Sequence, residues 1–231
     1  NYQAAADAVT ALGAPDGPVL DVGCGVGGLS AWVADGLGRD LVLCDQDVEV
    51  VRFGGATFDA PALTDLAHAD PAPVVLAMEV LEHVPPHAQD GFLDALWSRV
   101  APGGLLVLST PDETSYPGGW SGYAPHVGCV SPRQLADLLT RATGTTPAVW
   151  RLEGGPYRMP LRRRVLERVA NAAWTGIQTR TPGLARTLAS RGGREEPLEL
   201  GDVAPAATPY RLVSPRHGSG TGLLATVRRD G

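Results

Sequence analysis

The sequence predicts an α/β domain on a doubly wound sheet. Three observations lead there: short apolar runs alternate with stretches of helical spacing, a glycine-rich turn sits directly between the first strand and its helix, and acids end the first two strands. At 231 residues, 44% apolar and 19% charged, the chain is suited to one compact domain with a sizeable buried core.

Taken in order, Tyr2 to Leu12 reads as an alanine-rich helix stopped by Gly13 and Pro15, and Pro18 to Val22 as a short buried strand. Gly27 to Leu37 has helical spacing through Leu29, Trp32 and Val33, and Leu41 to Asp45 is a second strand, so the pair is joined by a parallel crossover. Val48 to Phe53 looks extended, which implies that the next crossover helix is shortened or missing. Strands follow at Val74 to Met78 and Leu105 to Ser109, with helices at Pro86 to Val100 and Pro132 to Thr143. The last two strands are expected at Pro147 to Leu152 and Gly222 to Arg228, with an arginine-rich, largely helical insertion at 156–200 between them.

No apolar run approaches the roughly 18 residues that span a bilayer, and no secretory signal pattern opens the chain, so a soluble protein is expected. Asn1 is not a methionine, so the sequence need not start where the protein does. Cys24, Cys44 and Cys129 are odd in number and widely spaced with no C-x-x-C pair, so neither a disulfide framework nor a zinc site is indicated and a reducing cytoplasm is expected. The net charge of −6 argues against a generally nucleic-acid-coated protein. Yet all 19 basic residues are arginine, and nine of them fall between Arg158 and Arg194 with only Glu167 opposing them.

The best motif is Val19-Leu-Asp-Val-Gly-Cys-Gly-Val-Gly-Gly28. Gly23 and Gly25 can take positive φ and let the backbone approach a nucleotide-like cofactor, with the next helix starting beneath it. Gly23, Gly25 and Gly28 also satisfy the dinucleotide pattern G-x-G-x-x-G, so a dehydrogenase stays open at this step. Asp21 would repel a pyrophosphate but suits a cofactor carrying an ammonium and a sulfonium, which favours S-adenosylmethionine. Asp45 would accept from the two ribose hydroxyls, and Gln46 would lie beside the adenine.

Together with Val74-Val-Leu-Ala-Met-Glu-Val-Leu-Glu-His-Val-Pro-Pro86 and Ala101-Pro-Gly-Gly-Leu-Leu-Val-Leu-Ser-Thr-Pro111, this motif resembles the class I S-adenosylmethionine-dependent methyltransferases. The likeness covers roughly residues 15 to 150 and looks nearest to the small-molecule O-methyltransferase branch that serves ubiquinone biosynthesis. It implies a Rossmann-like, seven-stranded sheet with the last strand antiparallel, and a cofactor over the carboxyl ends of the first strands. Its implied cofactor contacts are Asp21, Gly23, Cys24, Gly25, Gly27, Asp45, Gln46, Met78 and Glu79. An acid after the third strand should bind the adenine amino group, and Asp59 fits that spacing better than Asp70.

Methyl transfer to a hydroxyl needs alignment and removal of a proton. Glu82, His83 and His126 are the candidate catalytic groups, and Glu79, Glu82 and His83 would share a face if their segment starts a helix. Small-RNA 2′-O-methyltransferases carry a similar Glu-x-x-Glu-His stretch and a later histidine, which hold a divalent metal. By that likeness Glu79, Glu82, His83 and His126 are candidate metal ligands, while a mainly structural role remains open. Trp120 and Tyr123, in a glycine-rich loop, would pack on the acceptor as a lid, unless they only anchor a surface loop. In the insertion, Leu161, Val165, Leu166 and Val169 would pack, and Arg162, Arg163, Arg164 and Arg168 would face an acceptor or simply solvent. The expected partner is a small-molecule acceptor, anionic or carrier-bound; RNA 2′-O-methylation and a non-catalytic cofactor-binding role are the alternatives.

Overall fold

In the computed structural model the described residues are 1–113, 123–154, 210–215 and 222–231. Eight strands among them form one sheet in the order β3-β2-β1-β4-β5-β8-β6-β7. Helix α1 (Tyr2–Leu12) precedes β1 (Val19–Val22), α2 (Gly28–Gly36) links it to β2 (Leu41–Cys44), and α3 (Val48–Phe58) leads to the two-residue β3 (Ala62–Leu63). Then come β4 (Ala72–Met78), α4 (Gln89–Ser98), β5 (Val100–Pro111), α5 (Pro132–Thr143), β6 (Ala148–Gly154), β7 (Tyr210–Val213) and β8 (Gly222–Arg228).

Strands β1 to β5 run parallel, so Val22, Cys44, Leu63, Met78 and Pro111 end at one edge of the sheet. Strand β8, the last in the chain, is antiparallel to both β5 and β6. Residues alternate between two cores. Leu20, Val75, Ala77, Leu106 and Leu108 pack with Leu93, Leu96, Leu135 and Leu139 of α4 and α5. Val19, Val74, Leu76, Leu105 and Val107 pack with Ala4, Ala5, Val9, Val33 and Val51 of α1, α2 and α3. Helices thus cover both faces, as a strand buried on each side requires.

Three expectations need correcting. Val48 to Phe53 is helical, not extended: Asp47 caps α3 by accepting from the Glu49 and Val50 amides at 3.1 and 3.2 Å. Its glycines are not breakers, because Cβ atoms at Gly54 and Gly55 would lie 2.5 Å from the Val26 carbonyl oxygen and 2.7 Å from the Ala62 Cβ. They let the helix lie close to the glycine loop and β3. The sheet also has an eighth strand, since β7 pairs Tyr210 to Val213 antiparallel with Gly154 to Arg151. Finally, the segment after β4 is no helix start: Glu79 has φ 58, and only Leu81–His83 form a 3₁₀ turn. The arginine-rich stretch 156–200 and Trp120 lie outside the described residues.

Candidate active site

The glycine loop leaves β1 with Gly23, Gly25 and Gly27 all at positive φ, 75, 54 and 77°. A Cβ at Gly23 would strike Val80 at 2.5 Å, while one at Gly25 would meet nothing within 4 Å. Gly25 therefore borders open space with bare backbone, the arrangement a closely approaching ligand needs. Its amide donates to Asp45 Oδ2 at 2.8 Å, and the Asp47 amide donates to Asp45 Oδ1 at 2.9 Å. Asp45 is thereby fixed at the end of β2 beside the loop, with lone pairs to spare.

Asp21 is fully buried on the α1–α2 side and accepts from the Ser30 hydroxyl and, at 3.3 Å, from the Tyr2 hydroxyl. Among the described residues its Oδ1 has no hydrogen-bond partner. Burial pushes its pKa up to about 7, against those two hydrogen bonds, and the Asp45 charge adds to the rise. A buried acceptor awaiting a donor, next to bare glycine backbone, fits a cofactor that brings an ammonium group.

Met78 is buried at the end of β4, and Gln46 is exposed after β2. Cys24 is buried in the loop, its Sγ donating to the Gly25 carbonyl at 3.4 Å, and burial pushes its thiol up to about 12. Glu79 holds its left-handed backbone through Ser109: its amide donates to the Ser109 carbonyl at 2.9 Å, and the Ser109 hydroxyl donates to Glu79 Oε1 at 2.7 Å. Asn1 Nδ2 donates to the same oxygen at 2.7 Å. Such strain persists only where surroundings over-determine it, and it gathers at functional sites. Asp59 does not follow the third strand. It is exposed at the C-cap of α3, before β3, with φ 51. Asp70 comes only after a further 3₁₀ turn, so the acid directly after β3 is Asp65, which caps that turn by accepting from the Ala67 amide at 2.9 Å. A two-residue strand leaves no periodicity to read, so neither β3 nor the acid that follows it could be placed from the sequence.

Beyond β4 and β5 a second cluster forms. One ligand-type atom from each of Glu82, His83 and His126 lies within 4.8 Å of the others, and Glu113, His126 and Cys129 form an overlapping group of the same size. Glu79 belongs to neither. Glu82 is buried and accepts from the Thr110 hydroxyl at 3.0 Å; burial, with the Glu79 charge, pushes its pKa up to about 7. The His83 and His126 rings meet edge to face at 5.1 Å, and Tyr123 stands against His126 at 4.9 Å. Gln89 pins this region, donating to the Gly128 carbonyl at 2.6 Å and to that of Val84 at 3.3 Å. Glu113, buried beyond β5, was not read from the sequence, where Asp112-Glu-Thr after Pro111 looks like a solvated loop.

Residues 1–147 match the methyltransferase domain family, and the chain belongs to it. It is an S-adenosylmethionine-dependent methyltransferase of the Rossmann-like α/β fold. The fold is shared with an S-adenosylmethionine-dependent methyltransferase from Archaeoglobus fulgidus, at TM-score 0.59 and 12% identity over 99% of this chain and 95% of that one. It is shared too with the magnesium protoporphyrin IX methyltransferase of Synechocystis PCC 6803 with bound S-adenosylhomocysteine, at 0.51 and 20% over 69% and 77%. The N-methyltransferase NodS from Bradyrhizobium japonicum WM9 matches at 0.52 and 13% over 99% and 96%. A comparison with curated proteins finds no match. Among the described residues no helix is long and apolar enough to cross a membrane.

Proposed function

We propose that the chain methylates a hydroxyl of a small molecule, anionic or carrier-bound, in the reducing cytoplasm, with Glu82, His83 and His126 facing the acceptor. The observation that carries this reading is their convergence within 4.8 Å beyond the same sheet edge at which β1 and β2 deliver Asp21 and Asp45. When bound, S-adenosylmethionine supplies an electrophilic methyl on a sulfonium. Asp45 would hold its ribose, Asp21 its ammonium, and Asp65 its adenine amino group, with Gly25 giving close backbone approach. An amine acceptor in its free-base form already has a lone pair to offer. A hydroxyl must lose a proton, and the Glu82 carboxyl, pushed up to about 7 by burial, is a base poised near neutral pH that stands beside two imidazole rings. That chemistry supports oxygen over nitrogen as the methylated atom.

Turnover, followed as released S-adenosylhomocysteine over a panel of phenols and hydroxy acids, tests this. His83→Ala, His126→Ala and Glu82→Gln should each lower kcat by about a hundredfold, the scale of general base catalysis, and leave S-adenosylhomocysteine affinity unchanged. Full turnover in all three variants sinks the reading. The second reading is RNA 2′-O-methylation with a divalent cation on Glu82, His83 and His126. Their convergence favours it, while Glu79 stands apart from the other three candidate ligands. Methylation of an RNA 3′ end that EDTA abolishes would establish it instead.

A further inference from the structure

Glu113 lies outside the three sequence motifs that mark the family, yet it is 3% exposed and each of its oxygens lies within hydrogen-bond distance of a side chain of the loop that carries His126 and Cys129. His126 Nδ1 is 2.6 Å from Oε1, and Cys129 Sγ donates to Oε2 at 3.3 Å. The loop that carries these donors has little freedom. Its Gly128 amide donates to the Glu82 carbonyl at 2.8 Å, Gln89 holds the Gly128 carbonyl, and a Cβ at Gly128 would lie 1.9 Å from the Val84 carbonyl oxygen. Burial and the Glu113 carboxylate push the Cys129 thiol up to about 12, so the thiol keeps its proton and acts as a donor.

Glu113, His126 and Cys129 are also the residue types that bind zinc, and distance decides between a cation and hydrogen bonds. Nitrogen and oxygen ligands at about 2.1 Å from a tetrahedral zinc stand roughly 3.4 Å apart. The nitrogen and oxygen here are 2.6 Å apart, the spacing of a short charge-assisted hydrogen bond.

We propose that Glu113 is a positioning residue: it accepts the Nδ1 proton of His126, fixes the ring's orientation, and leaves the lone pair on Nε2 for the acceptor side. Cys129 occupies the second oxygen and so holds the carboxylate in the plane from which it can reach His126. A buried carboxylate on one ring nitrogen selects the tautomer by requiring a donor there, and it stabilises the imidazolium formed when the other nitrogen takes a proton. The inference rests on the reading that His126 faces the acceptor, and its test is independent of turnover.

The test is long-range ¹⁵N–¹H correlation spectroscopy of histidine-labelled protein at about pH 8.5, above the ordinary histidine range, with the His126 resonances identified by their loss in His126→Ala. The wild type should show a proton on Nδ1 and none on Nε2. In Glu113→Ala the ring should average between tautomers, and Glu113→Asp should restore part of the preference, while both variants still bind S-adenosylhomocysteine. A proton on Nε2 in the wild type overturns the proposal without any variant, so a Glu113→Ala chain that fails to fold does not protect it. An unchanged tautomer in a folded Glu113→Ala chain overturns it equally. If the tautomer behaves as proposed but His126→Ala keeps full turnover, the acceptor-site reading fails while the positioning of His126 by Glu113 stands.

Discussion

Asp45 and Glu113 are carboxylates on opposite sides of the site, and both have each oxygen engaged. Asp45 takes two backbone amides, from Gly25 and Asp47. Glu113 takes a ring nitrogen and a thiol. Backbone donors come with the turn itself, so the cofactor side is set by chain geometry: glycines at positive φ, a cap at Asp47, and the end of β2. Side-chain donors come only with particular residues brought together by the fold of a loop. On the function proposed above, the cofactor side is built to hold a shape, and the acceptor side to orient the groups that would take a proton. Asp21 and Glu82 cross this division, because each is a buried acid pushed up to about 7, one per side.

The largest effect should come from Asp21. Its folded-state pKa of about 7 lies above the ordinary 3.8, so between roughly pH 4 and pH 7 the folded chain binds more protons than the unfolded one. Stability from this group is full below that window, falls as pH rises through it, and levels off above. The total is on the order of 4 kcal/mol, at about 1.4 kcal/mol for each tenfold change in proton affinity. Urea unfolding of the cofactor-free protein should accordingly show a higher midpoint at acid than at alkaline pH, and Asp21→Asn should flatten that slope. Saturating S-adenosylhomocysteine should flatten it too, since an ammonium beside the carboxylate favours its charged form. Equal slopes in wild type and Asp21→Asn would remove Asp21 as the cause.

Asp45→Ala comes next and tests the backbone-held side directly. Removing the acceptor should weaken S-adenosylhomocysteine binding by about 1–3 kcal/mol, or roughly five- to 150-fold in Kd by calorimetry. Because the Gly25 and Asp47 amides lose their partner at the same time, the melting temperature should fall as well. Unchanged affinity would mean that the Gly25 turn, and not the carboxylate, recognises the cofactor.

The same division explains what the sequence made legible. The ends of α1 and α5 stand where Gly13 and Gly144, with the Ser131 cap, put them, and β1 and β2 were readable as short apolar runs, the first running straight into a glycine turn. Helix α3 was misread because Val48, Val50, Val51 and Phe53 favour strands locally, whereas Asp47 and the close packing at Gly54 and Gly55 decide for helix. Asp65 was hidden by the brevity of β3. Glu113 was hidden because its partners lie 13 and 16 residues away along the chain, and only the fold of the loop brings them to one carboxylate. Backbone-determined features are local and can be read. Side-chain networks across a loop are not.

The smallest expected effect concerns Arg162, Arg163 and Arg164, which lie outside the described residues. Nine arginines between 158 and 194 against the single Glu167 concentrate positive charge in a chain of net charge −6. If that stretch is a cap over the acceptor opening, its field raises the encounter rate of an anionic acceptor without touching the cofactor side. Replacing the three arginines with glutamine should then raise the acceptor KM by about three- to tenfold at low salt, since screening over a Debye length of about 10 Å limits the effect. kcat and S-adenosylhomocysteine affinity should stay as they are, and the salt dependence of kcat/KM should flatten. A KM equal to that of the wild type at every ionic strength would leave the three arginines as a solvated charge run with no part in acceptor binding. A fall in cofactor affinity would instead place them on the backbone-held side of the site, against the division between the two sides.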